Sequence, residues 1–267
     1  MKPLISLIIP TYNRPRMLAE CLKAIAMDPY KNIEVIVVND AGTDPTPVIA
    51  SFQDQLHLVL LNQPYNRGHV AARNRGLEIA NGEYIMLCDD DDILLPGHIT
   101  RMVQAFRPED TLLFSDVEIV TYTHEQGHRQ PKNRYVFAFD FDDLLLRKWN
   151  IIISSGMLYK KSIHDELGYF DEEMRDYWDW DFFLRLSTIA PLRRIPYADV
   201  LYLVSSTGGN LSSNTSAMHK SLQRFQDKHQ LGTLPVSSFL AMTQESSLLP
   251  YRRPSCVLWD GTWNFLF

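Results

Sequence analysis

The stretch Leu4-Ile5-Ser6-Leu7-Ile8-Ile9-Pro10-Thr11-Tyr12-Asn13-Arg14-Pro15 opens on an apolar, β-branched run broken only by Ser6 and closes on a polar turn. Such a run predicts a strand over 4–9 buried on both faces. Asn13 can cap and Pro15 can start a helix, whose apolar stripe is Met17, Leu18, Cys21, Leu22 and Ile25. The same step repeats downstream. Strands are predicted over 33–38, 56–61 and 84–88. A short helix over 47–52 and a second helix carrying Val70, Ala71, Leu77 and Ile79 alternate with them. Four such alternations imply an α/β fold, Rossmann-like, with a mostly parallel central sheet flanked by helices and right-handed crossovers.

At 267 residues, and at about 150 residues per domain, the chain suits one large α/β domain with an appendage. The expected division is 1–215, in two halves over 1–95 and 96–215, followed by an extension over 216–267. Hydrophobic residues at 45% against charged residues at 22% support a sizeable core. The excess of 32 acidic over 26 basic side chains gives a net charge of −6, which argues against nucleic acid as a partner. Cys21, Cys88 and Cys256 are scattered, with no disulfide framework or zinc spacing. No apolar run approaches the roughly 18 residues that span a bilayer. Met1-Lys2-Pro3 leads into a strand rather than a signal peptide. A cytoplasmic setting is the expectation, including the inner face of the cytoplasmic membrane.

The second half reads less regularly. Strands are expected over 112–120, 151–159 and 200–204, a polar loop over 124–134, and a helix around 141–146. A further helix over 179–189 should turn Phe182, Phe183, Leu186 and Ile189 inward. A Gly/Ser/Asn/Thr-rich loop spans 205–216. Beyond it the tail should hold one polar helix to about 229 and then irregular sequence containing Arg252, Arg253, Trp259 and Trp263. That basic and aromatic tail suits packing within the protein first, with a peripheral membrane contact or a homodimer as the other readings.

In an open parallel sheet, ligands bind beyond the carboxyl ends of the strands. Three polar clusters stand there: Tyr12-Asn13-Arg14, Asn39-Asp40 and Asp89-Asp90-Asp91-Asp92. Four consecutive carboxylates repel one another unless solvated or paired with a cation. Helix capping accounts for one or two of them, so a divalent cation is the economical partner. An oxygen-only donor set favours Mg²⁺ or Mn²⁺. Asn66-Arg67-Gly68 turns the chain into the helix carrying Arg73 and Arg75, where arginine can clamp a phosphate. In Asp176-Tyr177-Trp178-Asp179-Trp180-Asp181 acids alternate with large aromatics. Aromatic faces can stack on sugar rings, and a carboxylate held among them can serve as a general base.

Taken together, these residues resemble the family 2 glycosyltransferases of the GT-A fold. The likeness covers about residues 4–212, and it implies that 1–95 is the nucleotide-sugar-binding half and 96–215 the acceptor and catalytic half. It rests on Pro10-Thr11-Tyr12-Asn13-Arg14, Val37-Val38-Asn39-Asp40, Asn66-Arg67-Gly68 leading to Ala72-Arg73-Asn74, Asp89-Asp90-Asp91-Asp92 with Pro96, Gly168-Tyr169-Phe170-Asp171-Glu172, and Trp178-Asp179-Trp180-Asp181 leading to Leu184-Arg185-Leu186. The resemblance implies a nucleoside-diphosphate sugar donor bound through Pro10, Tyr12, Asn13, Asp40, Arg73, Asp89 and Asp90. Tyr12 would stack on the base, and Asp40 would accept the ring N–H of uracil or thymine. Asp91, with Asp89, would hold Mn²⁺ or Mg²⁺. Asp179 would be the base of a single, inverting displacement on a saccharide or lipid-linked acceptor, beside Tyr177, Trp178 and Trp180.

The pattern departs from the family at three places. Asn39 replaces a frequent acid, Trp178 stands where a glutamate is common, and Thr207 sits near the place of a late-loop histidine for which His219 is the substitute at hand. A sugar-phosphate nucleotidyltransferase is the nearest enzymatic rival, but Tyr12-Asn13-Arg14-Pro15 offers no Gly-rich phosphate loop. A non-catalytic nucleotide-sugar-binding scaffold is the other, and the presence of Asp91 and Asp179 argues against it.

Overall fold

The computed structural model describes residues 2–125, 128–206 and 215–262. The first run forms β1 (Ile5–Thr11), every residue of it buried, and β2 (Ile33–Asn39) is buried in the same way. Burial on both faces is why neither run alternates in polarity. Between them α1 (Pro15–Ala26) starts on Pro15 and buries Leu18, Cys21, Leu22 and Ile25 against the sheet, while Met17 stays half-buried.

Then follow α2 (Thr46–Ala50), β3 (His57–Asn62), α3 (His69–Ile79) and β4 (Tyr84–Leu87). β1 pairs in parallel with β2 and β4, and β2 with β3. The strand order β3-β2-β1-β4 is therefore the expected parallel half, and its C-terminal ends deliver residues 11–14, 40–44, 62–68 and 88–92 to one edge.

The second half contributes β5 (Ile93–Leu94), α4 (His98–Ala105), β6 (Leu112–Glu125), β7 (His128–Phe137), α5 (Asp143–Leu146), β8 (Leu158–Lys160), α6 (Ile163–Leu167), α7 (Trp178–Ser187) and β9 (Leu192–Ser205). β8 runs antiparallel to β4 and β6, and β9 lies parallel to β6, so a single sheet continues as β4-β8-β6-β9.

Several expectations are corrected here. The polar segment over 124–134 is no loop: most of it forms β7, hydrogen-bonded to β6. Its partner among the described strands is β6 alone, and such an edge strand tolerates Pro131 and Lys132 near the register shift at Thr121/Tyr122. Of the strand expected over 151–159 only Leu158–Lys160 pairs. Ser154-Ser155-Gly156 interrupts it, with Gly156 at φ +83° where a Cβ would collide with Val200 and His98. Residues 151–157 form a buried irregular segment instead. Ile189 is 44% exposed rather than inward, because α7 ends at Ser187. The strand expected over 200–204 begins at Leu192, where Arg193 and Arg194 hide its pattern while pairing with Asp110 and Asp116.

The tail is more ordered than its composition suggests. It holds α8 (Thr215–His229), α9 (Phe239–Met242), a 3₁₀ turn (Ser246–Tyr251) and β10 (Cys256–Val257), which extends the sheet beside β9. Arg253 pairs with Asp140, Arg252 donates to the Thr243 carbonyl, and Arg134 lies over the buried Trp259 ring. Arg252, Arg253 and Trp259 are thus used in packing within the protein. The Gly/Ser-rich loop lies largely outside the described residues, as does Trp263.

α8 is fixed to α7 through fully buried Asp181, which accepts from Arg185 at 2.9 Å, His229 at 2.8 Å and Lys228 at 2.6 Å. Burial alone would raise its pKa, but His229, Lys228 and Arg185 outweigh that and bring it down to about 2. A depressed carboxylate stabilises the fold above its unfolded pKa and loses that contribution as pH falls through the folded value. Asp181→Asn is therefore expected to lower the thermal midpoint at pH 7 and to flatten the loss of stability between about pH 4 and pH 2, measured by thermal melts across that range.

Candidate functional site

The loops at the sheet edge, α3, the start of α7, the segment after α5 and the first part of the tail enclose one cleft of about 580 Å³. Pro10, Tyr12, Asp40, Arg73, Asp89, Asp90, Asp91, Tyr177, Trp178, Asp179 and Trp180 all line it. Of the expected site residues only Asn13 stands back. Its side chain accepts from the Thr43 N–H at 2.7 Å and hydroxyl at 3.0 Å, tying the first loop to the second. Gly42 permits that approach, since a Cβ there would sit 2.7 Å from the Asn13 nitrogen. Tyr12 remains 46% exposed at the mouth.

Asp40 is buried and accepts three hydrogen bonds, from Gln63 Nε2 at 2.7 Å, Arg67 N at 2.8 Å and Gly68 N at 2.7 Å. It thereby shapes the turn, with Gly68 at φ +94°, that launches α3 into the cleft. Asn39 bonds Gly42 and Asn62, which makes it a loop-ordering residue here.

The four acids divide into pairs. Asp92 is enclosed, accepting from the Ser155 hydroxyl at 2.5 Å and Leu203 N at 3.3 Å, and burial with its acidic neighbours raises its pKa well above the carboxylate range. Asp90 accepts from Thr11 at 2.7 Å and from Arg14 at 3.3 Å. Burial and the Asp91 charge still push it up to about 7. Asp89 pairs with Arg73 and Asp91 with Arg14 at 2.7 Å, and these two keep the more open carboxylates of the run, 35% and 18% exposed. Burial raises Asp91 against the pull of Arg14. Arg129, from β7, donates to the Asp91 carbonyl at 2.8 Å and to Glu20 of α1, holding the loop from behind.

Among the described residues no three His, Cys, Asp or Glu side chains converge to enclose a metal ion. What the cleft offers is two carboxylates in a run whose acids outnumber the arginines paired with them. That arrangement fits a hard divalent cation completed by ligand oxygens and water.

Arg73 is 2% exposed. Its guanidinium lies 4.1 Å above the Trp178 ring, and Nη1 meets His69 Nδ1 at 2.6 Å and the His69 carbonyl at 3.1 Å. Burial and Arg73 hold His69 down at about 4, so it stays neutral. The Nε of Arg73 is buried with no hydrogen-bond partner. Trp178 and Trp180 use their rings in packing, the first under Arg73 and against Phe170, the second against Phe225 of α8 with Nε1 donating to the Leu146 carbonyl.

Asp179 is 7% exposed. Burial raises it to about 6, against the opposing hydrogen bonds from Trp180 N and the Asn150 side chain and the field of Arg73. At neutral pH it is therefore an anion able to take a proton. Arg14, His69, Arg129 and Asn150 are the residues that the sequence did not single out for a role. Arg14 carries a signal in hindsight, because four acids at one sheet edge need a nearby cation. Thr207 lies outside the described residues, and His219 is exposed on α8 and absent from the described lining of the cleft.

Residues 6–168, more than half of the chain, match the family described as Glycosyl transferase family 2. The chain belongs to glycosyltransferase family 2. A Bacillus subtilis (strain 168) protein, the uncharacterized glycosyltransferase YwdF, is 40% identical over 258 residues, covering 96% of each chain. Two solved structures share the fold at lower identity. Residues 1–349 of S. aureus TarS, in complex with UDP-GlcNAc, align with a TM-score of 0.63 at 19% identity, covering 84% of this chain and 67% of that one. The mannosyltransferase PcManGT of Pyrobaculum calidifontis, in complex with GDP-Man and Mn²⁺, gives 0.59 at 18% identity over 94% and 73%. The protein is a transferase enzyme of the GT-A fold, with the mostly parallel, helix-flanked sheet expected from its sequence. No helix among the described residues is long and apolar enough to cross a membrane.

Beside the raised Asp91 and Asp92, Asp90 and Asp179 are expected to titrate above the usual carboxylate range, at about 7 and about 6. Carboxylate ¹³C NMR of aspartate-labelled protein checks this, with Asp179→Asn removing the transition at about 6 and leaving the one at about 7.

Proposed function

We propose that this glycosyltransferase moves a sugar from a UDP- or dTDP-sugar to an acceptor hydroxyl by one inverting displacement, with a divalent cation at Asp91 and Asp89 and with Asp179 as the base. The observation that carries the reading is the buried Arg73. Its Nε has no hydrogen-bond partner in the protein, in a cleft with open carboxylates at one end and an elevated carboxylate at the other. An anionic diphosphate is the partner that a buried, incompletely satisfied guanidinium calls for.

For the base, Tyr12 offers its exposed ring at the mouth. Asp40 uses three of about four lone-pair sites on the loop, leaving one for a ring N–H of uracil or thymine. Pro10, Asn13 and Asp90 frame the nucleoside, Asn13 through the loop it holds. Mn²⁺ or Mg²⁺ bound there supplies Lewis-acid stabilisation of the departing diphosphate. Asp179 accepts the proton of the attacking hydroxyl as the new C–O bond forms at the anomeric carbon and the bond to the diphosphate breaks. The nucleoside diphosphate leaves with the electron pair. One base suffices, whereas a glycosidase needs two carboxyl groups flanking the bond. The acceptor is placed among saccharides and lipid-linked saccharides of bacterial surface polysaccharide or glycoconjugate assembly, met at the inner face of the membrane.

Calorimetric titration of UDP, dTDP and GDP with and without Mn²⁺ tests this. Uridine or thymidine diphosphate should bind in a metal-dependent way that Asp91→Ala abolishes. Asp179→Ala should keep nucleotide affinity within about twofold while transfer falls by about 10²–10⁴. Transfer by the unmodified enzyme should rise with pH through about 6, because the unprotonated Asp179 is the active form. Binding of none of the three nucleotides would contradict the reading.

A further inference from the structure

At the acceptor end of the cleft two buried polar atoms have no partner within the protein. One is Asn150 Oδ1, in a side chain 8% exposed, and the other is the Tyr177 hydroxyl, in a residue 6% exposed. Both residues line the cleft. A buried carbonyl oxygen or hydroxyl left unpaired is a penalty that a fold retains where something else supplies the partner.

The two groups are held in place. Asn150 stands at the head of the buried segment 151–157, and its side chain hydrogen-bonds Asp179. With Oδ1 unpartnered, that bond comes from the amide N–H. The Tyr177 ring is packed against Trp180 and Phe225, with centroids 6.0 Å and 5.8 Å away. Its hydroxyl feels the Asp179 charge. One amide therefore joins the carboxylate to an oxygen that still needs a donor.

We propose that Asn150 and Tyr177 read a second acceptor hydroxyl, on the carbon next to the one that attacks, so that the acceptor class is a vicinal diol of the kind a pyranose ring presents. This rests on Asp179 being the base. A hydroxyl bound to Asp179 lies beside the Asn150 amide, so the donor that satisfies Oδ1 comes from the neighbouring atom of the same molecule. The Tyr177 hydroxyl, unpartnered in the same cleft, accepts from or donates to that second oxygen. A simple alcohol would reach Asp179 and leave both orphaned atoms unpaired, which is how such a site discriminates.

Ligand-observed NMR on the full chain tests this with trans-1,2-cyclohexanediol and cyclohexanol as probes, on the unmodified protein, Asn150→Ala and Tyr177→Phe. UDP affinity is measured on the same samples. The diol should bind at least about fivefold more tightly than the mono-alcohol, the worth of one net hydrogen bond. That preference should shrink to within about twofold in Asn150→Ala, with UDP affinity unchanged. Tyr177→Phe removes only a hydroxyl and should weaken the preference in the same direction if Asn150→Ala loses its fold. Equal binding of both probes to the unmodified protein, or full retention of the preference in either folded variant, overturns the proposal. A diol preference that depends on Asn150 in a protein that binds no UDP would support the subsite and count against the donor reading alone.

Discussion

A guanidinium cannot be taken out of water alone, and the surroundings of Arg73 show what its burial requires. Asp89 comes from the loop after β4, His69 from the turn before on α3, and the Trp178 ring from the first residue of α7. Those partners belong to both halves of the chain. Keeping Arg73 inside therefore makes α3 bury nearly its whole first two turns, Val70 to Asn74, rather than one apolar stripe. It also seats α7 directly over the sheet edge. Asp179, the next residue after Trp178, is thus placed in the cleft by the same contact that holds Asp89.

The electrostatics of the cleft follow from that arrangement. The acidic run is backed by Arg14 and Arg73, with Arg129 gripping the Asp91 carbonyl from the β7 side. Asp92 is consumed by Ser155 and Leu203. The charge left facing the cleft is that of Asp89 and Asp91, beside an Asp90 poised at about 7. At the other end Asp179 feels burial first and Arg73 as one of the opposing influences, which keeps it near 6 rather than higher. One buried cation thus sits between a site suited to a diphosphate and a carboxylate suited to proton transfer.

β1, β2 and β4 were legible because burial on both faces writes itself as unbroken apolar runs, and β3, half-buried at the sheet edge, carries a similar apolar run, Leu58 to Leu61; Pro15 and Gly68 mark the turns beside them. The polar clusters after β1, β2 and β4 could be placed at one edge from that topology alone. β7 was not legible, because an edge strand with Lys132, Asn133 and Arg134 has no apolar alternation to read. Residues 151–157 misled in the opposite sense: they are apolar and buried, yet Ser154-Ser155-Gly156 prevents pairing. In the cleft, Asp89, Asp91 and Asp179 announced themselves by acidity or aromatic context. Asn150, His69 and Arg129 did not, since a lone polar residue acquires meaning only from the carboxylate or arginine that the fold sets beside it. Trp178 and Trp180 looked like open stacking platforms, and the packing of α7 against α3 and α8 turns them into supports.

Arg73 pairs with Asp89 at one end of the cleft and lowers the pKa of Asp179 at the other, and so couples the two ends. The measurement that decides this coupling is the pH titration of the Asp179 carboxylate in Arg73→Gln, followed by ¹³C NMR. With the guanidinium gone, the anion loses a stabilising neighbour, so the transition should move upward from about 6. An Asp179 transition unchanged in a folded Arg73→Gln protein would contradict the coupling and mean that the two ends of the cleft are electrostatically independent.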